Sequence, residues 1–188
     1  MANKVLYNFK NVHYALVSVD AQGVLSFSTP KRLLGTVDFS MELEQSSEPI
    51  YSEGLVYHVL QSTSGYKGEL TLHNISEDFE AEVLGLKKDS KNVMYEDLNI
   101  HPKEFALLFE ISGDAKAVRH VMYRIQASKP KLEYKTTTDK ADITNVKLNY
   151  VGLADENGIG RVKTNDDTDT DTYANWFKNV YKVTKTAE

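Results

Sequence analysis

No cysteine occurs among the 188 residues. That excludes disulfides, thiolate zinc sites and a cysteine nucleophile together. A small domain without such staples is held by its core or by its neighbours. A basic excess is also missing: 22 Lys and Arg stand against 27 Asp and Glu, for a formal net charge of −5. Chains that grip nucleic acid or adsorb to anionic membranes carry the opposite balance. The longest apolar run, Phe105-Ala106-Leu107-Leu108-Phe109, is far too short to cross a bilayer. Met1 to Lys10 alternates polar and apolar residues and has no apolar block of the kind a signal peptide needs. The expectation is a chain made and folded in a cytoplasm, so the sequon Asn74-Ile75-Ser76 is read as chance.

What is present is an ordinary globular composition, 41% hydrophobic and 26% charged, with no internal repeat and no interdomain linker, so residues 1–188 read as one domain. Much of it alternates with period two, the mark of half-buried strands. Val12 to Val19 is a first strand, Asp20-Ala21-Gln22-Gly23 a turn, and Val24 to Ser28 its return; Thr29-Pro30 ends it. Val37, Phe39, Met41 and Leu43 alternate cleanly. Residues 44–66 are polar and rich in breakers before Leu55, Val56, Tyr57 and Val59, and read as a long loop or an extended hairpin. Gly68 to His73, Phe105 to Ile111, Val118 to Ala127, Leu132 to Thr137 and Ile143 to Val151 are further strands, and Asp155 to Gly158 is a turn.

Two short helices are expected. Ser76 is a good N-cap, Glu77 and Asp78 place negative charge on the first turn, Phe79, Val83 and Leu84 give an apolar face, and Gly85 is a good stop. Near the end, Tyr173, Trp176, Phe177, Val180 and Tyr181 recur with helical spacing behind the acidic loop 164–172, which holds Asp166, Asp167, Asp169 and Asp171. The expected fold is mainly β: a β-sandwich or partly rolled barrel with one or two short flanking α-helices.

The residues that could carry chemistry are sparse. His13, His58, His73, His101 and His120 show no metal-site spacing. There is no Gly-x-Ser-x-Gly elbow, and Gly158-Ile159-Gly160 lacks the rest of a phosphate loop. Asp167, Asp169 and Asp171 begin like a calcium loop, but Thr172 and Lys178 stand where that loop needs glycine and glutamate. They read as a solvated acidic loop. Glu77 or Asp78 with Glu80 read as an exposed helix face. Lys129, Lys131, Lys135 and Lys140 form a basic patch, either solvated or matched to an acidic neighbour. Tyr173, Trp176 and Phe177 either close the core or dock on another subunit. No catalytic, metal or cofactor site emerges, and the expectation is a protein without enzymatic activity.

Four segments carry a resemblance: Asn11-Val12-His13-Tyr14-Ala15; Pro102-Lys103-Glu104-Phe105-Ala106-Leu107-Leu108-Phe109-Glu110; Tyr123-Arg124-Ile125-Gln126-Ala127-Ser128-Lys129-Pro130; and Asp171-Thr172-Tyr173-Ala174-Asn175-Trp176-Phe177 with Val180-Tyr181. In order and spacing the chain resembles the major tail proteins of siphophages of Gram-positive bacteria, the phi13-type family. The resemblance implies a β-domain assembled as hexameric rings that stack into a tail tube around the tape-measure protein, capped by tail terminator and distal tail proteins. DNA would pass through the lumen without specific binding, in a virion assembled in the host cytoplasm. It implies no catalytic residues and no cofactor. Residues 44–66 are the candidate for the inter-ring loop of that family, and the candidate inter-subunit contacts are Ile50, Tyr51, Leu55, Tyr57, Tyr173, Trp176 and Phe177.

Two rivals stand beside it. One is a carbohydrate-binding or adhesion module using Tyr51, Tyr57 or Trp176 as a sugar platform. The other is a hydrolase whose site is assembled from distant residues.

Overall fold

The computed structural model describes residues 3–133 and 145–184. The alternating segments become strands of one antiparallel sheet: β1 (Leu6–Val19), β2 (Leu25–Phe27), β3 (Lys31–Arg32), β4 (Thr36–Ser52) and β5 (Leu55–Leu72). Then come β8 (Phe105–Gly113), β9 (Val118–Ala127), β10 (Val146–Leu153) and β11 (Arg161–Lys163). A separate two-stranded ribbon joins β6 (Lys87–Lys88) and β7 (Met94–Tyr95). The main sheet has nine strands in the order β2-β1-β8-β9-β10-β5-β4, with β11 beside β9 and β3 beside β1.

Period-two alternation decides which face each residue takes. Val12, Tyr14, Leu70, Leu72, Phe105, Leu107, Met122, Ile125, Leu148 and Tyr150 share the inner face and form the main core. The sheet curls around that core. Its two end regions approach each other, and Phe9 on β1 stacks on Phe39 on β4. No ladder joins β1 to β4 among the described residues, so the sheet is a roll with an unbonded seam and not a closed barrel. The fold is mainly β with two short helices, as anticipated, and the sheet does not close into a barrel.

The first helix, α1 (Glu77–Phe79), starts at Ser76, whose Oγ accepts from the Phe79 N–H, and widens into a π-type turn over Glu80–Leu84. Gly85 ends it at φ 83°, a left-handed conformation that costs glycine little. Phe79, Val83 and Leu84 close one end of the core.

The C-terminal helix departs from expectation. The second helix, α2 (Thr170–Ala174), has only five residues. Trp176 and Phe177 follow in a turn, and Val180 and Tyr181 in irregular backbone, instead of continuing it. Arg119 donates to the Tyr173 carbonyl, which the next helical turn would need, and the Trp176 N–H takes the same carbonyl at 3.3 Å. Tertiary contacts thus override the helical period. The segment lies across the outer face of the sheet, where Trp176 joins Ala15, Ala106, Leu108, Val121 and Tyr123 in a second core.

Of the expected strand from Leu132 to Thr137, Leu132 and Glu133 are not in a strand, and the rest lies outside the described residues. The expected strand from Ile143 is described from Val146 onward.

Candidate functional site

Residues 44–66 form no irregular loop. β4 and β5, of 17 and 18 residues, pair along their whole length. β10 covers only Tyr66 to Leu72 of β5. Beyond Tyr66 the pair is therefore a two-stranded arm with both edges unpaired among the described residues. It reverses at Glu53-Gly54, with φ 53° and 80°, the two left-handed residues that a two-residue hairpin turn requires. Polar spacing hides the strand period here: Gln45, Ser46, Ser47 and Glu48 lie opposite Thr63, Ser62, Gln61 and Leu60. Shifts in pairing between Glu44 and Gln45 and between Ile50 and Tyr51 also break a strict alternation.

The arm has a polar neck and an apolar tip. At the neck Ser46 and Ser62 hydroxyls meet at 2.7 Å. At the tip Ile50, Tyr51, Leu55 and Tyr57 are all exposed, Leu55 at 74% and Tyr57 at 79%. Val56, Val59 and Leu60, which the residue-type reading did not single out as contacts, are exposed beside them. An isolated two-stranded ribbon is marginal in water, and seven exposed apolar side chains spread over its two faces give it a reason to be covered.

The other three anticipated contact residues sit elsewhere. Trp176 is 3% exposed and its indole N–H donates to the His120 carbonyl, so it is spent on its own chain's core. This is the core-closing use of the stripe, and it removes Trp176 from a sugar platform. Phe177 is half-buried against the His13 ring. Tyr173 lies beneath the Arg119 guanidinium at 3.8 Å from its ring centroid, and its hydroxyl donates to the Ala117 carbonyl. Arg119 in turn pairs with buried Glu110 at 2.8 Å, and Lys10 reaches the same carboxylate at 3.6 Å. This ion group latches the C-terminal segment to β8 and β9.

The residues that might have carried chemistry are dispersed. No group of three His, Cys, Asp or Glu side chains among the described residues could hold a metal. Asp169 is the N-cap of α2 and accepts from the Thr172 N–H; those bonds hold its carboxyl below the usual range. Glu77 pairs with Lys88, whose hydrogen bond lowers its pKa, while burial raises that of Glu80. Lys129 pairs with Glu96 and Lys131 with Glu133; Lys135 and Lys140 lie outside the described residues. His13 Nδ1 is bonded to the Asn11 carbonyl and His73 to Asn145, while His58 is on the arm opposite Ile50. His120 is buried, stacked on Phe109, with neither ring nitrogen bonded.

No protein-family model matches the chain, and no curated protein matches it. Among solved structures it is similar to a chain described as "Structure of a type six secretion system protein". That chain is 13% identical, with 82% of this chain and 91% of that one covered, at a TM-score of 0.33. This likeness is too loose to define a common fold. No described helix is long and apolar enough to cross a membrane.

Proposed function

We propose that this protein is the structural subunit of a bacteriophage tail tube, a non-enzymatic chain that assembles with copies of itself into hexameric rings. Those rings stack around a tape-measure protein and form the conduit through which DNA leaves the virion. The observation that supports this most is the arm: a two-stranded extension with free edges and an apolar tip standing beyond the folded sheet. Such an element is costly in a monomer and is completed by pairing with another chain. The net charge of −5 suits a channel wall that does not hold phosphate. The resemblance of the four segments quoted above supplies the identity of the assembly; sheet geometry alone would not. Tape-measure, tail terminator and distal tail proteins are the partners this reading assigns.

Negative-stain electron microscopy of the concentrated protein tests it. Stacked rings or tubes of uniform width are expected. Removal of residues 46–64 is expected to leave the far-ultraviolet circular dichroism of a folded β-protein and to abolish those assemblies. A protein that stays monomeric at high concentration while binding a glycan or turning over a substrate overturns the reading.

A further inference from the structure

Charge is segregated along the first third of the chain. Residues 1–37 contain Lys4, Lys10, Lys31 and Arg32 with one acid, Asp20; residues 33–66 contain Asp38, Glu42, Glu44, Glu48 and Glu53 with no Lys or Arg. The fold turns this separation into two sheet borders. β1 is bonded to β8 on one side; on the other it meets β2 at Val17–Val19 and β3 at His13–Tyr14, and Leu6–Asn11 has no ladder there among the described residues. Among the described residues β3 pairs only with β1. This border is basic, and it exposes Val5, Leu6, Tyr7 and Leu34. Lys10 leans on Glu110 and Lys31 on Glu82, whereas the side chains of Lys4 and Arg32 form no ion pair among the described residues; the Lys4 backbone N–H donates to Asp114. The opposite border is β4, which continues into the acidic, apolar arm. Glu42 and Glu44 approach Lys67, whereas Glu48 and Glu53 have no cationic partner among the described residues.

We propose that the acidic arm of one copy docks along the basic β1–β3 border of a second copy. This rests on the self-assembly reading above and names the two surfaces that meet. The charges are complementary, carboxylates against cations, and both surfaces expose aliphatic and tyrosine side chains; both also carry backbone with no ladder among the described residues, the β1 stretch meeting its own β4 through the Phe9–Phe39 stack. The surfaces differ, so the contact is head-to-tail and every copy uses both, which propagates into a ring or a stack and does not stop at a dimer. Opposite charges fix which border meets which, and like borders repel.

Charge reversal tests this at residues whose side chains form no ion pair among the described residues. One variant carries Glu48→Lys with Glu53→Lys; another carries Lys4→Glu with Arg32→Glu; a third carries all four changes. Each two-site variant is expected to need about tenfold more protein to assemble, by light scattering and electron microscopy. The four-site variant, and an equimolar mixture of the two-site variants, are expected to regain assembly. Raising salt is expected to weaken the wild type. Circular dichroism and melting temperature confirm that each variant is folded. If wild-type tubes form and the two-site variants assemble at the wild-type concentration, or if neither combination rescues, the docking is wrong while the tail-tube reading stands. If the wild type never assembles, both fall.

Discussion

Phe9 on β1 and Phe39 on β4 stack with ring centroids 5.9 Å apart and planes 11° apart, although among the described residues no ladder joins their strands. Phe39 also stacks on Tyr150 at 5.4 Å and meets Phe109 at 5.0 Å. The seam of the roll is therefore held by side chains where backbone bonds are missing. Phe39→Ala is expected to cost about 2–3 kcal/mol in urea unfolding, through lost burial and ring contacts. A loss under about 0.5 kcal/mol, the scale of an ordinary surface change, would show that the seam does not depend on this stack.

A second closure is made across β4, β5 and β10. Tyr150 donates its hydroxyl to the Ser40 carbonyl at 2.8 Å, crossing directly over Gly68. A Cβ at position 68 would lie 2.0 Å from the Ser40 oxygen and 2.6 Å from the Tyr150 hydroxyl oxygen. Gly68→Ala therefore forces a backbone atom or the ring aside, and about 2–4 kcal/mol of stability is expected to be lost. Combining it with Tyr150→Phe removes the hydroxyl but leaves the ring carbon that bore it, 2.8 Å away, and the Ser40 carbonyl. Only partial recovery is expected, and full recovery would refute the backbone clash.

The C-terminal segment depends on Arg119, which pairs with Glu110, covers the Tyr173 ring and donates to the Tyr173 carbonyl. Arg119→Ala leaves the buried Glu110 carboxylate with only Lys10 nearby and is expected to cost about 2–4 kcal/mol. Tryptic cleavage after Lys178 and Lys182 should accelerate while the sheet stays folded. Lysine lacks the planar fork and stacks poorly, so Arg119→Lys is expected to leave cleavage fast. Cleavage at the wild-type rate in Arg119→Ala would mean that Trp176 alone anchors the segment.

Strands with a buried face were legible because burial enforces alternation, as for Leu70 with Leu72; on the border strand β4 only Phe39 and Met41 of the alternating set pack on the core, and Val37 and Leu43 are exposed. The stop at Gly85 was legible for a local reason, the left-handed turn that favours glycine after a helix. The arm was only half legible. Its neck has no buried face, so nothing in Gln45-Ser46-Ser47 marks a strand, and pairing with Gln61-Ser62-Thr63 is a long-range fact. The helical spacing of Trp176, Phe177 and Val180 was misleading, because a stripe of apolar residues fits a groove on a sheet as well as a face of a helix. The ion group of Lys10, Glu110 and Arg119 could not be seen, since those residues come from three strands whose order the sequence does not print.

His120 should make the protein acid-sensitive. Its ring is stacked on Phe109 at 4.8 Å, and Arg161 and Lys163 on β11 stand near it. Burial first, and those two cations second, hold its pKa down at about 4, against 6.5 for a free histidine. Above 6.5 the ring is neutral in both folded and unfolded chains and stability does not depend on it. Between 6.5 and about 4 the unfolded chain takes up a proton that the folded chain refuses, so stability falls as pH falls through this window. The full span is worth about 3 kcal/mol at most. His13 is lowered by burial too and adds to the same trend. His120→Phe keeps an aromatic partner for Phe109 and removes the titration. Unfolding free energies for wild type and His120→Phe should run parallel above pH 7 and diverge between pH 6 and pH 4, with the variant gaining on the wild type. Curves that stay parallel down to pH 4 would mean that the ring opens to solvent and is protonated without disturbing the sheet.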